Sequence, residues 1–134
     1  MAIFISQKKE ETLEFASRYA ATLKGGDVVL LKGEMGAGKT VFAKGVALGL
    51  GIKDEVLSPT YSYMNDYDGK LYHFDCYRLK DGGQAEELGL CDYFYSDGIC
   101  LIEWAENISS VLPDKVKVVN IVKLGGDGRR IEYE

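Results

Sequence analysis

A glycine-rich stretch near the amino terminus contains residue types that suit phosphate chemistry. Gly33 is followed, after four residues, by Gly38, Lys39 and Thr40 in the string GEMGAGKT. A bound phosphate needs several inward-pointing backbone N–H groups, no side chains in the way and a helix N-terminus behind them. The spacing therefore predicts a phosphate-binding loop at residues 33–40.

The residue types within this loop predict a nucleotide and a metal ion. Lys39 can reach the outer phosphates as a point charge, and the Thr40 hydroxyl is placed to coordinate Mg²⁺. The chain contains no Asn-Lys-x-Asp string that reads guanine, so we expect adenine and hence ATP. We predict ATP and Mg²⁺ as cofactors, with a nucleotide site formed by Gly33, Glu34, Met35, Gly36, Ala37, Gly38, Lys39 and Thr40.

Two acidic residues are candidates for completing this site. Magnesium in an ATPase also needs a carboxylate, normally at the end of a neighbouring apolar strand. Glu103 directly follows the apolar run ICLI, so it is the predicted metal ligand beside Thr40. Asp75 ends the string YHFD, where it either positions water or holds the metal through water. Lys39, Asp75 and Glu103 are the predicted catalytic residues.

Other polar residues near these motifs leave alternatives open. His73 is the only histidine, and a lone strand histidine is most simply interpreted as structural. The hydroxyls of Ser58 and Thr60 either contact the γ-phosphate or belong to an ordinary loop before a hairpin. The cysteines are odd in number and lack paired spacing, which predicts reduced, mostly buried thiols rather than zinc ligands at Cys76, Cys91 and Cys100.

The apolar pattern predicts the elements that must position this chemistry. Val28 to Leu31 are typical of a buried strand before the loop. Phe42, Val46 and Leu50 recur at helical spacing after it, and Gly51 sits where a left-handed C-cap is expected. The loop is thus predicted to join a strand to a helix.

The rest of the chain predicts an α/β, P-loop nucleotide-binding fold with a mostly parallel central sheet, flanking helices and antiparallel hairpins. We expect a single domain spanning residues 1–134. The other predicted elements are a strand at 2–6, a helix over Leu13, Ala16, Ala20 and Leu23 capped by Ser6, a hairpin at 61–77 turning at Asp68-Gly69, a partly helical segment at 84–95, a strand at 99–102 ending on Glu103, a short helix toward Val111 and final strands around a turn at 125–128.

Composition limits the possible functions. Of 134 residues, 46% are hydrophobic and 28% charged, as in ordinary globular proteins. A net charge of -5 argues against wrapping nucleic acid unaided, so any such role is expected to be indirect. The amino-terminal string MAIFISQKKEE fits neither a signal peptide nor a membrane anchor, which predicts a cytoplasmic protein without a membrane partner.

Several longer strings resemble one known family, the TsaE or YjeE family of bacterial P-loop ATPases in tRNA threonylcarbamoyladenosine biosynthesis. They occur in the family's order, span most of the chain and are together far more specific than the phosphate loop alone. The strings are GEMGAGKT, SPTY at 58–61, YHFDCYRL at 72–79, EELGLCDYF at 86–94 and ICLIEWAE at 99–106.

The resemblance implies an ATPase that works with the proteins TsaB and TsaD. Together they would place a threonylcarbamoyl group on the adenosine beside the anticodon, and tRNA would be reached indirectly through the complex. Few arginines are available to stabilise a transferring phosphoryl group, so hydrolysis by the protein alone is expected to be slow. The resemblance also implies roles for single residues. In the family, the loop that matches Gly33 to Thr40 binds ATP, and the positions that match Thr40 and Glu103 hold magnesium. The position that matches Asp75 is needed for activity, and those that match Trp104 and Arg129 lie near the nucleotide.

Two other function classes remain open from the residues. Asp75 and Arg78 have an Asp-x-x-Arg spacing that would suit a small-molecule kinase holding a hydroxyl acceptor. A non-catalytic adaptor would bind ATP and regulate a partner without turnover. The product formed from ATP separates these classes from an ATPase.

Overall fold

The computed structural model describes residues 1–59 and 61–134, and within these ranges seven strands form one sheet with helices against both of its faces. Thr60 lies outside the described residues, so its predicted role toward the γ-phosphate stays a prediction. The strands are β1 Ala2–Ser6, β2 Val28–Lys32, β3 Met64–Tyr67, β4 Leu71–Asp75, β5 Ile99–Glu103, β6 Lys117–Gly125 and β7 Gly128–Tyr133. The helices are α1 Lys9–Ala20, α2 Lys39–Gly49 and α3 Gly82–Glu87, with 3₁₀ helices at Leu90–Tyr95 and Ala105–Val111.

The sheet has a parallel centre and antiparallel edges. Its strand order is β1-β7-β6-β2-β5-β4-β3, and the pairs β6/β2, β2/β5 and β5/β4 are parallel. The pairs β1/β7, β7/β6 and β4/β3 are antiparallel. The predicted α/β class with antiparallel hairpins is confirmed, and the parallel part is confined to the four central strands.

The central strands form because their side chains are apolar on both faces. Four of the five residues of β2 and all five of β5 are buried. A strand covered on both faces is continuously hydrophobic rather than alternating, and branched residues fit its pleated surface. These two strands thus run through the middle of the molecule, and both end at the same edge of the sheet.

Helices α1 and α2 pack together on one face of the sheet. Phe15 and Tyr19 of α1 meet Phe42 of α2, with ring centroids 6.5 and 5.8 Å from that of Phe42. The two backbones approach closely at Gly45, where an added Cβ would lie 2.5 Å from the Ala16 Cβ. Glycine is therefore needed at this position for α2 to contact α1.

The opposite face is covered by α3 and the two 3₁₀ helices. Phe74 of β4 packs against Phe94, with ring centroids 5.3 Å apart. The first turn of α3 is capped by Asp81, whose Oδ1 accepts a hydrogen bond of 2.9 Å from the Gln84 N–H. This layer buries the outer side of the strands that carry the acidic residues.

Most predicted elements lie where the pattern placed them, with two corrections. Gly51 has a φ of 76°, which confirms the left-handed residue after α2. The predicted cap of α1 is wrong, because Lys8 occupies the N-cap and the Ser6 Oγ lies 2.6 Å from the Thr12 Oγ1 instead. The predicted 61–77 hairpin is shorter, since its paired strands are β3 and β4. Among the described helices, none has the length and apolar character needed to span a membrane.

Candidate functional site

The predicted phosphate loop joins the end of β2 to the start of α2. Gly36 and Gly38 have φ values of 80° and 103°, a left-handed region that side chains rarely adopt. Gly38 is the N-cap of α2, and the described first turn contains no acidic residue and no side-chain cap. Because the first N–H groups of a helix lack intrahelical acceptors, this N-terminus suits an anion.

Side chains of the final hairpin also lie close to these two glycines. A Cβ at Gly36 would lie 3.2 Å from the Lys123 Nζ, and one at Gly38 would lie 3.3 Å from the Arg129 Nε. Gly33 is restricted from another side, because its Cβ would be 2.9 Å from the Ile121 carbonyl oxygen. At these three glycines the loop thus presents backbone without side chains, and it lies beside β6 and β7.

Arg129 holds the loop through its carbonyl groups. Its Nε donates a hydrogen bond of 2.6 Å to the Ala37 carbonyl, and its Nη2 lies 3.4 Å from the Gly36 carbonyl. Its Nη1 donates to the carbonyls of Gly126 and Gly128 at 2.9 and 2.7 Å. The guanidinium thus ties the turn of the last hairpin to the phosphate loop.

The two predicted carboxylates lie side by side at the carboxyl edge of the parallel strands. Asp75 and Glu103 are register partners in the β4/β5 pair, and their residues are 6% and 7% exposed. Asp75 Oδ1 accepts a hydrogen bond of 2.9 Å from the Tyr77 N–H. The Cys76 N–H donates to the Glu103 carbonyl at 3.0 Å, so the two strand ends are joined beyond the last paired residues.

Lys39 points toward this carboxylate edge. Its Nζ lies 3.9 Å from Glu103 Oε1 and 4.2 Å from the centre of the Trp104 ring, and the residue is 7% exposed. Trp104 has a φ of 59°, a conformation that costs about 1–3 kcal/mol in a non-glycine residue. That backbone conformation places an aromatic ring against the ammonium group, where cation–π attraction is favourable.

These residues surround a cavity of about 510 Å³. Ligand cavities commonly occupy about 300–1,000 Å³, so the volume suits a nucleotide-sized molecule. The cavity is lined by Lys9, Thr12, Met35, Gly36, Gly38, Lys39, Thr40, Val41, Ser58, Asp75, Glu103, Trp104, Asp127 and Arg129.

The structure brings together most of the predicted site residues. All three predicted catalytic residues line the cavity, as do Thr40 and Arg129. Among the described residues, the predicted binding positions Gly33, Glu34 and Ala37 do not line it. The Glu34 carbonyl instead accepts a hydrogen bond of 3.0 Å from the Ala37 N–H inside the loop.

Other lining residues were not predicted from sequence. Lys9 and Thr12 reach the cavity from α1, and Asp127 reaches it from the last hairpin turn. No local motif marks them, because they become neighbours of the loop only through packing between distant elements. The contact between His73 and Glu103, with Nε2 2.6 Å from Oε2, was likewise not predicted.

The possible metal ligands on the protein fit an ion that is held largely by phosphate oxygens and water. Among the described residues, no cluster of three or more His, Cys, Asp or Glu side chains could hold a metal ion. Magnesium typically takes one or two protein ligands and completes its shell with phosphate oxygens and water. The Thr40 hydroxyl and the Glu103 carboxylate, both on the cavity wall, match that requirement.

The neighbouring thiol is unsuited to metal binding or nucleophilic chemistry. Burial, with a smaller contribution from the Asp75 charge, raises the pKa of Cys76 to about 12. A thiolate rather than a thiol is the metal ligand and nucleophile, so Cys76 stays protonated and inert near neutral pH. The prediction of buried thiols holds for Cys76 and Cys100, whereas Cys91 is partly exposed.

The fold and the loop define a class of α/β proteins in which a glycine-rich turn connects a central parallel strand to a helix N-terminus. A family model described as "Threonylcarbamoyl adenosine biosynthesis protein TsaE" matches residues 6–131. The chain belongs to the TsaE family.

Relatives and a solved structure agree with this assignment. A tRNA threonylcarbamoyladenosine biosynthesis protein TsaE of Bacillus subtilis is 46% identical over 127 residues, covering 92% of this chain and 79% of the relative. The protein of the same name from Treponema pallidum is 37% identical over 129 residues, covering 95% and 96%. The crystal structure of Bacillus subtilis YdiB superposes with a TM-score of 0.82 at 39% identity, covering 98% of this chain and 83% of that one.

Proposed function

We propose that the protein binds ATP with Mg²⁺ and hydrolyses it in tRNA threonylcarbamoyladenosine biosynthesis, together with TsaB and TsaD. The names of the relatives indicate the pathway, and the geometry of the site supports the nucleotide chemistry. The observation that carries the proposal is the convergence of Lys39 and Glu103, with Nζ and Oε1 3.9 Å apart, beside a bare glycine loop at a helix N-terminus.

Each residue has a distinct role in this proposal. The backbone N–H groups of Gly36, Gly38, Lys39 and Thr40, at the N-terminus of α2, bind the phosphates. Lys39, whose ammonium lies against the Trp104 ring at the cavity, binds the outer phosphates. Bound magnesium supplies charge neutralisation on the phosphate oxygens. Thr40 and Glu103 hold that ion, and Asp75 orients the attacking water.

The arrangement also explains why hydrolysis by the protein alone is expected to be slow. An arginine placed on the transferring phosphoryl group commonly raises phosphoryl transfer rates by about 10³–10⁵-fold. Among the described cavity-lining residues the one arginine is Arg129, and its hydrogen bonds go to loop carbonyls. The proposal therefore includes a partner that supplies a group or rearranges the site.

The test is phosphate release from ATP, measured for the protein alone and with TsaB and TsaD. We expect slow turnover alone and at least tenfold faster turnover in the assembly. Glu103→Gln should keep ATP binding and lose magnesium-dependent turnover, because it removes the anionic ligand with little change in shape. Equal rates with and without partners would exclude partner dependence, and normal turnover of Glu103→Gln would exclude the metal role.

The kinase alternative gains no support from the geometry. Arg78 does not line the cavity among the described residues, and its Cζ instead lies 5.4 and 5.7 Å from the ring centres of Tyr61 and Tyr63. A hydroxyl acceptor held between Asp75 and Arg78 would need that contact to break. Incubation of a cell extract with γ-labelled ATP decides the question, because a kinase gives a labelled small molecule and an ATPase gives free phosphate only.

A further inference from the structure

His73 is a fully buried polar residue whose position in the fold is more specific than a core residue requires. It lies on β4 two residues before Asp75, on the same face of the sheet, and is 0% exposed. Its Nε2 lies 2.6 Å from Glu103 Oε2, across the parallel β4/β5 pair. The ring therefore reaches one particular oxygen of one particular carboxylate.

The proton on this ring can be assigned from the partner. A carboxylate that ligates a cation is deprotonated and only accepts hydrogen bonds, so in that state Nε2 carries the hydrogen and donates it to Glu103. Nδ1 is buried and has no hydrogen-bond partner among the described residues. A buried polar atom without a partner is destabilising, so an apolar side chain of similar size would suit a purely structural position better.

The hydrogen bond fixes which Glu103 oxygen faces the cavity. Oε2 is engaged by His73, whereas Oε1 is the oxygen that lies 3.9 Å from the Lys39 Nζ. A carboxylate that is free to rotate would lose this distinction and would also lose entropy when it bound a cation. Donors behind a ligating group are known to set the orientation and affinity of metal ligands.

We propose that His73 is a positioning residue for the Glu103 carboxylate, holding Oε2 so that Oε1 is presented to the divalent cation of the bound nucleotide. This inference rests on the proposed role of Glu103 as a metal ligand. His73 acts through Glu103 and contacts neither nucleotide nor metal. Its removal should change the affinity for the divalent cation and leave metal-free nucleotide binding nearly unchanged.

Three substitutions separate positioning from packing. His73→Leu fills the space and removes the donor. His73→Gln places an amide N–H₂ at the end of a longer chain, where it can reach Glu103 as Nε2 does. His73→Asn is equally polar but too short to make that contact, so it also serves if His73→Leu fails to fold. Thermal unfolding of each variant verifies that the fold is intact.

The measurement is Mn²⁺ binding to the protein–ATP complex by electron paramagnetic resonance, with ATP affinity in EDTA measured in parallel. We expect His73→Leu and His73→Asn to weaken Mn²⁺ binding by about tenfold or more, because loss of a residue that hydrogen-bonds to a metal ligand typically weakens metal affinity by about 10–100-fold. His73→Gln should stay within about threefold of the unmodified protein, and ATP affinity in EDTA should change less than about twofold in all three.

Two results would overturn the inference. One is unchanged Mn²⁺ binding by the folded His73→Leu or His73→Asn protein. The other is a loss of Mn²⁺ binding in His73→Gln as large as in His73→Leu, which would indicate that His73 acts only through packing. Glu103→Gln identifies which proposal has failed, because unchanged Mn²⁺ binding in that variant removes the metal role of Glu103 itself. A loss in Glu103→Gln without one in His73→Leu removes the positioning role alone.

Discussion

Individual side chains at this site differ in how far sequence could predict their positions. The loop residues follow from local spacing, and Glu103 follows from its place after an apolar run. The Glu103 contact of His73 depends on the register of β4 against β5, which no local pattern specifies. The ring contact between Trp104 and Lys39 likewise joins residues far apart in sequence.

Arg129 gives a prediction at the scale of a single residue. Arg129→Ala removes the charged donor that holds the Ala37 carbonyl at 2.6 Å, and hydrogen bonds to charged groups are typically worth about 1.5–3 kcal/mol. We therefore expect at least tenfold weaker ATP binding, measured by isothermal titration calorimetry.

The control for this substitution lies on the same strand. Arg130→Ala makes the same change in charge, but Arg130 pairs with Glu132, with Nε 3.2 Å from Oε2, and does not line the cavity. The ATP affinity of Arg130→Ala should stay within about twofold of that of the unmodified protein, because this ion pair is partly exposed to solvent and lies outside the cavity lining. Equal losses in both variants would indicate a general charge effect instead of a contact with the loop.

Among the elements, the strands with a continuous apolar pattern were predicted most accurately. The β2 and β5 runs are buried on both faces, so their identity depends little on neighbours. The start of α1 was predicted less well, because Ser6 is a good capping residue but pairs with Thr12 within the folded core. Tertiary contacts took precedence over local capping there.

The α1–α2 contact gives a prediction about element packing. Gly45→Ala places a Cβ 2.5 Å from both the Ala16 Cβ and the Leu13 carbonyl oxygen, so the helices must separate. Overpacking of this kind typically costs about 1–3 kcal/mol, and we expect that loss in the unfolding free energy from urea titration.

Gly83→Ala is the matched control, because Gly83 is exposed in α3 and its Cβ would approach only the Asp81 Oδ1, at 3.4 Å. Replacing a helical glycine with alanine there should be neutral or stabilise by up to about 1 kcal/mol. A Gly45→Ala protein as stable as the unmodified one would contradict the tight helix contact.

For the whole molecule, the strand order was the feature that sequence left open. The order places β2 between β5 and β6, which lie far along the chain. Each strand is recognisable by itself, but pairing is decided by which faces the helices cover and by the crossover connections. The predicted phosphate loop therefore has a local form that sequence could predict, whereas the parts of the cavity wall from α1 and the last hairpin required the structure.

Global stability at alkaline pH gives a further prediction. Burial raises the pKa of Cys100 from 9.0 to about 12, and its Sγ–H donates to the Tyr93 carbonyl at 3.2 Å. Between these values the unfolded chain loses this proton while the folded chain keeps it. Stability therefore falls as pH rises from 9.0 toward about 12, by up to about 1.4 kcal/mol per pH unit for this thiol.

Cys100→Ala should make this alkaline decline shallower, although its stability at neutral pH is lower because the core loses a buried atom. Unfolding free energies measured by urea titration from pH 8 to 11 give the slope. Cys91→Ala is the control with a smaller expected effect, since that thiol is only partly buried. An unchanged slope in Cys100→Ala would show that the thiol does not contribute.

The pairing of β1 with β7 has a practical consequence for attaching probes. Ser6 pairs with Arg129 beside the cavity, whereas Ala2 pairs with Tyr133 at the far end of the same two strands. With a rise of about 3.3 Å per residue, the four residues from Ser6 to Ala2 put Ala2 about 13 Å farther from the loop than Ser6. A fluorophore or surface tether joined beside Ala2 or Tyr133 would thus leave the mouth of the cavity accessible.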